Sequence, residues 1–283
     1  MGGAKTIFEP FGDNAVHEVV SKFEELDETT SRYPTDHTLQ FLELHCFDLV
    51  SHWYLDRPEV MNPLIKRIDD AVAALSRQCK EQGVLLCVLF EHGQELVKKE
   101  NHIDMRKLVN DTGVPRKDFC YYNGVAVSRF WFRTDEACRK IVKALKDIPN
   151  TRTMTFEELN EELDMTLTPE WGEVYIACDP GHLFHPHDYH HPLANLVVGM
   201  RSKEMRQRIF DPYHRGYHRY IPGPDVPSED AWALFVSETI KPKSKEARLV
   251  DFAPSVLSVL GCQVPDYMQG KPMFEVVSDS PVH

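Results

Sequence analysis

Three short segments combine carboxylate and imidazole side chains at spacings that could hold a metal ion. Asp48 and His52 are four residues apart in FDLVSHW, and Glu91 and His92 are adjacent in FEHGQ. His218 lies in YHRGYHR, which contains a second histidine. Carboxylate oxygens and imidazole nitrogens are ordinary ligands of Zn²⁺, and Mn²⁺ accepts similar donors. Each segment alone also fits a turn with capping or surface side chains, so only their combination suggests a site.

A fourth segment, GHLFHPHDYHH, is rich in histidine. Histidines in a loop that also contains proline and aspartate are commonly solvated, which is one interpretation of this segment. The other interpretation is a separate metal-storage or metal-sensing site. The histidines concerned are His182, His185, His187, His190 and His191.

The hydrophobic pattern predicts elements that would bring the first two segments together. We predict a helix over 14–28, a strand that opens at His37 and runs into a polar loop with Asp48 and His52, a helix over 62–82 and a strand over 84–90. In a βαβ unit the strands are parallel, and their carboxyl ends meet at one edge of the sheet. Both carboxylate–imidazole pairs are then expected at that edge.

The remaining pattern continues to alternate strands and helices. We predict strands over 123–132, 171–181 and 231–240, and helices over 134–146, 155–163 and 254–260. The predicted fold class is α/β, with a mostly parallel central sheet flanked by helices on both faces. The predicted organisation is an N-terminal helix and loop over 1–36, one α/β domain over 37–275 and a tail over 276–283.

Composition limits the partners of the chain. A net charge of −12 argues against a nucleic acid polymer as partner, although bound metal ions can supply local positive charge for a phosphate group. The sequence contains no apolar run long enough to span a membrane, so we expect no membrane partner. Its seven cysteines are odd in number and form no CxxC pair, which predicts reduced thiols and a cytoplasmic protein.

The order of the segments resembles the alkaline phosphatase superfamily, in particular its type I phosphodiesterase/nucleotide pyrophosphatase branch. That family has a D-x-x-G-H motif after a strand, then a helix, an S-D-H-G motif, a G-x-H-G histidine, and a D-x-A-P-T helix before L-G and P-x-x-M-x-G. The matching segments here are FLELHCFDLVSH, KRIDDAVAALSRQCKEQG, VLFEHG, RGYHR and LVDFAPSVLSVLGCQVPDYMQGKP. The resemblance covers residues 37–275, and 251–270 is its most specific part.

The resemblance implies a metal-dependent phosphoric ester hydrolase that acts on a small phosphorylated substrate. Asp48, His52 and His218 match the ligands of one metal ion, and Glu91 and His92 match a carboxylate and a histidine of the other. One or two Zn²⁺ ions are implied, with Mn²⁺ as the alternative. Three positions depart from the family pattern, namely Ser51 and Arg219 in place of glycine, and Glu91 in place of aspartate.

The family also has a first strand and a Thr or Ser nucleophile ahead of the D-x-x-G-H motif. Only 47 residues precede Asp48, and they match neither feature, so we expect the fold to lack the usual first strand and assign no nucleophile. Thr29, Thr30 and Ser31 are interpreted as part of a connection. A homo-oligomer or a partner chain is expected to complete the sheet. The alternative function is that of an inactive relative acting as a binding or partner subunit.

Overall fold

The computed structural model describes residues 6–189, 214–237, 239–243 and 246–277, which contain seven α-helices and fourteen strands. The helices are α1 Leu26–Ser31, α2 His45–Tyr54, α3 Pro58–Gln82, α4 Met105–Asp111, α5 Asp135–Lys146, α6 Phe156–Leu163 and α7 Phe252–Val259. The strands are β1 Ala15–Val19, β2 Leu39–Glu43, β3 Leu86–Phe90, β4 Glu95–Leu96, β5 His102–Ile103, β6 Phe119–Tyr122, β7 Val127–Phe132, β8 Thr151–Thr155, β9 Val174–Cys178, β10 Leu183–Phe184, β11 Gly216–Tyr217, β12 Trp232–Val236, β13 Ile240–Pro242 and β14 Phe274–Val276.

The chain folds into two compact units. Unit 1 comprises the described residues within 1–50, 58–91 and 231–283, and unit 2 comprises those within 51–57 and 92–230. The units follow spatial contacts and are interleaved along the chain. The domain boundaries predicted at 36/37 and 275/276 stay a prediction, and residues 278–283 of the predicted tail lie outside the described residues.

Unit 2 is built on a four-stranded antiparallel sheet in the order β6-β7-β9-β8. All five residues of β9 are buried, because alternate residues pack into two different clusters, one with Ile141 of α5 and the other with Leu159 of α6. Phe130 and Ile176 of this sheet join Ile141 and Leu145 of α5 in one core cluster. Helix α5 begins where the Thr134 hydroxyl accepts a hydrogen bond from the Ala137 amide, so the predicted helix over 134–146 is confirmed.

Two short strand pairs in unit 2 fix the loops that carry histidines. Strands β4 and β11 are antiparallel, with Gly216 opposite Leu96. Strands β5 and β10 are parallel, with Leu183 opposite His102. Both residues of β10 and both residues of β11 are buried. These pairs therefore anchor the segments around His185 and His218 to the interior of unit 2.

Unit 1 contains three two-stranded pairs and the long helix α3. Strands β1 and β2 are parallel, whereas β3–β12 and β13–β14 are antiparallel. Helix α3 confirms the helix predicted over 62–82 and starts four residues earlier, with Pro63 inside its first two turns. Its residue Ala71 packs with Val20, Leu26 and Cys46 in the larger of the two buried clusters of this unit.

The expected mostly parallel central sheet is not observed among the described residues. The largest sheet is antiparallel, and each parallel pair has only two strands. Strands β2 and β3, which were predicted as neighbours in a βαβ unit, pair with β1 and β12 instead. The α/β class is confirmed, but the choice of strand partner depends on contacts distant in sequence that a local pattern does not specify.

The helix predicted over 14–28 is wrong, since residues 15–19 form strand β1 and only residues 26–31 form helix α1. Val16, Val19 and Val20 have spacings that fit a helix, yet β-branched residues also suit a strand, and β2 supplies the backbone partner. A strand thus precedes β2, while the expectation that the fold lacks the family's usual first strand stays a prediction. Thr29, Thr30 and Ser31 do not form the predicted connection but lie in α1, where Thr29 and Thr30 are buried.

The predicted polar loop around Asp48 and His52 is also wrong, because both residues lie in helix α2. Cys46, Phe47 and Val50 of this helix pack into the cluster of unit 1, and their spacing of one, three and four residues is helical. Strand β2 therefore ends at Glu43 and the chain turns at once into a helix. None of the described helices has an apolar stretch sufficient to cross a lipid bilayer.

Candidate metal centre

His52 is held in one orientation by the strand pair β4–β11. Its Nδ1 lies 2.8 Å from the carbonyl oxygen of Gly216, and its own carbonyl accepts a hydrogen bond of 2.8 Å from the Arg215 amide. A carbonyl oxygen can only accept, so Nδ1 carries the proton and Nε2 carries the lone pair. This is the arrangement by which metal-binding histidines are commonly oriented.

His92 is oriented in the same way by its own neighbour. Its Nδ1 donates to the carbonyl oxygen of Gly93 over 2.8 Å, which again places the lone pair on Nε2. The Gly93 amide in turn donates to the Ser228 carbonyl over 2.7 Å. A Cβ atom at position 93 would lie 3.2 Å from the Ser228 Cα, so this close backbone approach favours glycine.

His218 brings the two oriented histidines together within unit 2. It follows β11, is 6% exposed, and its ring stacks on His92 with a centroid distance of 3.5 Å and an interplanar angle of 8°. The ring centroid of His52 lies 5.3 Å away from it. The nearest possible ligand nitrogens of His92 and His218 lie within 4.8 Å of each other. Three histidines from separate segments of the sequence therefore converge.

Ser51, Gln94 and Gly216 approach one another closely beside His52. Ser51 is 2% exposed, and its hydroxyl accepts a hydrogen bond of 2.6 Å from the Gln94 side-chain nitrogen. A Cβ atom at Gly216 would lie 2.7 Å from the Ser51 carbonyl oxygen and would also collide with Gln94. Glycine at position 216 thus lets its carbonyl reach His52.

Aromatic side chains extend this cluster beyond the predicted residues. Trp53 stacks on His214 with centroids 4.8 Å apart, and His214 and Tyr217 each lie close to His52, at 5.4 Å. None of these three residues was predicted to be a metal ligand. The signal that could have found His214 is its spacing of four residues from His218, on the other side of the two-residue strand β11.

A partly buried carboxyl group that interacts with His92 was not predicted. Glu229 ends a short 3₁₀ helix, and its side chain accepts a hydrogen bond of 3.0 Å from the Tyr220 amide. Burial raises the pKa of the Glu229 carboxyl, while hydrogen bonds from the Tyr220 and Arg219 amides and the charge of His92 oppose this rise. No local motif surrounds Glu229 in PDVPSEDAW, so the residue could not be selected from its sequence neighbours.

The two predicted carboxylate ligands belong to unit 1. Asp48 is partly buried and lies four residues before His52 in α2, so the two side chains project from the same side of the helix. Glu91 is exposed and directly follows β3. Their assignment as metal ligands, like that of the three histidines, stays a prediction.

Comparison with known proteins finds similar solved structures but no matching family model or curated sequence. No protein-family model and no curated protein sequence matches the chain. Among solved structures it is similar to human ectonucleotide pyrophosphatase/phosphodiesterase 5, with a TM-score of 0.62 and 15% identity over 89% of this chain and 62% of that chain. The murine protein matches with a TM-score of 0.52 and 16% identity, over 76% of this chain and 52% of that chain.

An inactive variant of the murine protein in complex with AMP matches with the same TM-score and identity, over 76% of this chain and 51% of that chain. The chain thus spans between half and two thirds of the length of these structures. At such low identities the similarity establishes the fold. The fold of these structures agrees with the fold that the resemblance in motif order implies.

Proposed function

We propose that this protein is a metal-dependent phosphoric ester hydrolase of the phosphodiesterase/nucleotide pyrophosphatase type, with a small phosphorylated substrate. The observation that carries the proposal is the identical tethering of His52 and His92, whose Nδ1 atoms donate to backbone carbonyls beside the buried ring of His218. Both tethers leave Nε2 as the nitrogen that can bind a metal ion. The similarity in fold to a protein solved with AMP supports a nucleotide-like substrate.

The donor set fits zinc. We assign Asp48, His52 and His218 to one ion and Glu91 and His92 to a second, with Mn²⁺ as the alternative metal. Nitrogen and carboxylate oxygen donors suit Zn²⁺, and the helical register places the Asp48 side chain one turn before His52. When bound, such ions neutralise phosphate oxygens and lower the pKa of an attacking oxygen nucleophile.

The residues of the chain itself would orient the ligands and bind the substrate. The carbonyls of Gly216 and Gly93 select the imidazole tautomers, and the hydrogen bond between Gln94 and Ser51 lies directly beside Gly216 of strand β11. Such preorganisation limits the cost of arranging the site at the moment of reaction. The chain carries a net charge of −12, so an anionic substrate would need positive charge supplied locally.

The test is to measure zinc and manganese content and hydrolysis of bis(p-nitrophenyl) phosphate for the wild type, His52→Ala and His218→Ala. We expect both variants to lose one metal equivalent and at least 100-fold in activity, as removal of a key group in a catalytic site commonly does. The matched control is His45→Ala, because His45 lies on the same helix and is exposed. Unchanged metal content and activity in both site variants would refute the proposal.

A second candidate function is that of a partner subunit, and exposed apolar side chains on the strand pair β3–β12 favour it. Trp232 is 72% exposed, Leu234 is 56% exposed, and Phe90 opposite Trp232 is also exposed. Exposed apolar patches commonly mark interaction surfaces. We propose a second copy of this chain as the occupant. Light scattering across a range of protein concentrations tests it, and a monomer at all concentrations would refute it.

We also propose a cytoplasmic location. All seven cysteines are free, which fits the expectation of reduced thiols and the conditions of a reducing compartment. Staining of the tagged protein in cell fractions would test this, and recovery in a secreted fraction would refute it.

A further inference from the structure

Unit 2 contains a second histidine group, which we define as His102, His185 and His187. The ring centroids of His102 and His185 are 5.7 Å apart, and those of His185 and His187 are 6.3 Å apart. His187 is 3% exposed and His185 is 8% exposed. The interpretation of this loop as solvated is therefore wrong for these two residues. His190 and His191 of the same segment lie outside the described residues.

A buried hydrogen-bond network fixes the loop that carries His185 and His187. The side-chain amide of Asn123, which is fully buried, donates to the Pro186 carbonyl over 2.6 Å and accepts from the Ser128 hydroxyl over 2.8 Å. The backbone of Asn123 exchanges two hydrogen bonds with Asp188, one of them to its carboxylate. The loop is thus held on both sides of His187, as ligand loops of metal sites are.

The strand pair β5–β10 places the third member of the group. The His185 amide donates to the Ile103 carbonyl over 2.9 Å, directly beside His102. Two imidazoles that share one tetrahedral zinc ion have ring centres roughly 5 Å apart, given Zn–N distances of about 2.0–2.1 Å. The observed spacings of 5.7 Å and 6.3 Å are longer than this value, so the side chains would have to rotate towards each other for their nitrogens to reach one ion.

We propose that His102, His185 and His187 form a second, separate site for one transition-metal ion. Imidazole donors select Zn²⁺, Cu²⁺ or Ni²⁺ over Mg²⁺ and Ca²⁺, which prefer oxygen ligands. The competing explanation is that His185 and His187, next to the partly buried His102, are buried for packing alone. Metal content separates the two explanations, because packing alone predicts no bound ion. His214 lies at the border of the two groups, with ring centroids 5.9 Å from His187 and 5.4 Å from His52. The site does not depend on the proposed hydrolase function.

The experiment measures zinc bound per chain after dialysis, and the visible spectrum of the Co²⁺-loaded protein, for the wild type, His187→Ala and His102→Gln. We expect each variant to bind one equivalent less than the wild type and to lose one set of Co²⁺ bands. The matched control is His182→Ala, which lies on the same loop outside the group. Because His102 is only partly buried, His102→Gln keeps the test decisive if His187→Ala does not fold.

A double variant separates this site from the proposed hydrolase site. His52→Ala combined with His218→Ala should retain the equivalent that His187→Ala loses. If zinc content falls only in the double variant and not in His187→Ala or His102→Gln, the second site is refuted and the hydrolase site stands. If zinc content falls in His187→Ala and His102→Gln but not in the double variant, the second site stands and the hydrolase site is refuted.

Discussion

Strands β9 of unit 2 and β12 of unit 1 have the same length and similar apolar character, yet opposite environments. The sequence VYIAC in β9 is buried at all five positions, whereas WALFV in β12 begins with three exposed residues. Strand β9 pairs with β7 and β8, whereas β12 pairs with β3 alone among the described strands. Burial of these two strands therefore depends on their partner strands and covering helices rather than on hydrophobicity alone.

The sharpest test of this comparison is a pair of truncations. Ile176→Ala in β9 should lower the free energy of unfolding by about 2–5 kcal/mol, because Ile176 is fully buried in the core of unit 2 and its loss leaves a cavity. Leu234→Ala in β12 should change it by only about 0.5 kcal/mol, as expected at an exposed site. Urea unfolding measures both.

An equal loss in the free energy of unfolding for Ile176→Ala and Leu234→Ala would contradict this difference between the two strands. It would mean that β12 is covered in solution, and repeating the Leu234→Ala measurement at several protein concentrations would show whether a second copy of the chain covers it.

Removing a side-chain hydroxyl in each unit gives a smaller expected effect. Ser51→Ala should cost about 1–3 kcal/mol, because it removes the hydroxyl that accepts a hydrogen bond from the part-buried Gln94 side chain. Ser237→Ala should cost about 0.5–1 kcal/mol, since Ser237 is part-buried and its partner Thr239 lies two residues away. Thermal unfolding followed by circular dichroism checks both variants. A larger loss of stability in Ser237→Ala than in Ser51→Ala would contradict the prediction.

The smallest expected effect concerns the pH dependence of unit 1. Burial, followed by the hydrogen bond to Glu18, raises the pKa of Tyr33 from 10.0 to about 12. A raised folded pKa contributes stability that is fully present below pH 10 and is lost as pH rises from 10 to 12. The unfolding midpoint of the wild type should therefore fall across this range.

Tyr33→Phe should flatten that fall, because phenylalanine has no proton to lose. Tyr54→Phe is the matched control, since Tyr54 is exposed and its replacement should leave the pH slope as in the wild type. Identical slopes in the wild type and Tyr33→Phe would contradict the prediction.

Much of the local structure could be predicted from the sequence. The predicted strands over 84–90, 123–132, 171–181 and 231–240 and the predicted helices over 62–82, 134–146, 155–163 and 254–260 all have counterparts, with ends shifted by a few residues. These elements have a strong periodicity or clear end signals, such as the capping box of Thr155 and Glu158 in α6. The short segment 15–19, which contains two valines, fits the periodicity of a helix and that of a strand, and the predicted helix there is wrong.

The site was predictable only in its residue types and their order. The sequence by itself determined which carboxylates and histidines were candidates, and the resemblance of the motif order to one superfamily. Only the tertiary structure decided that His52 is tethered to the carbonyl of Gly216, 164 residues later in the chain, and that His185 and His187 are buried. The physical reason is that periodicity and capping act between near neighbours, whereas strand pairing and burial arise from contacts between residues far apart in sequence.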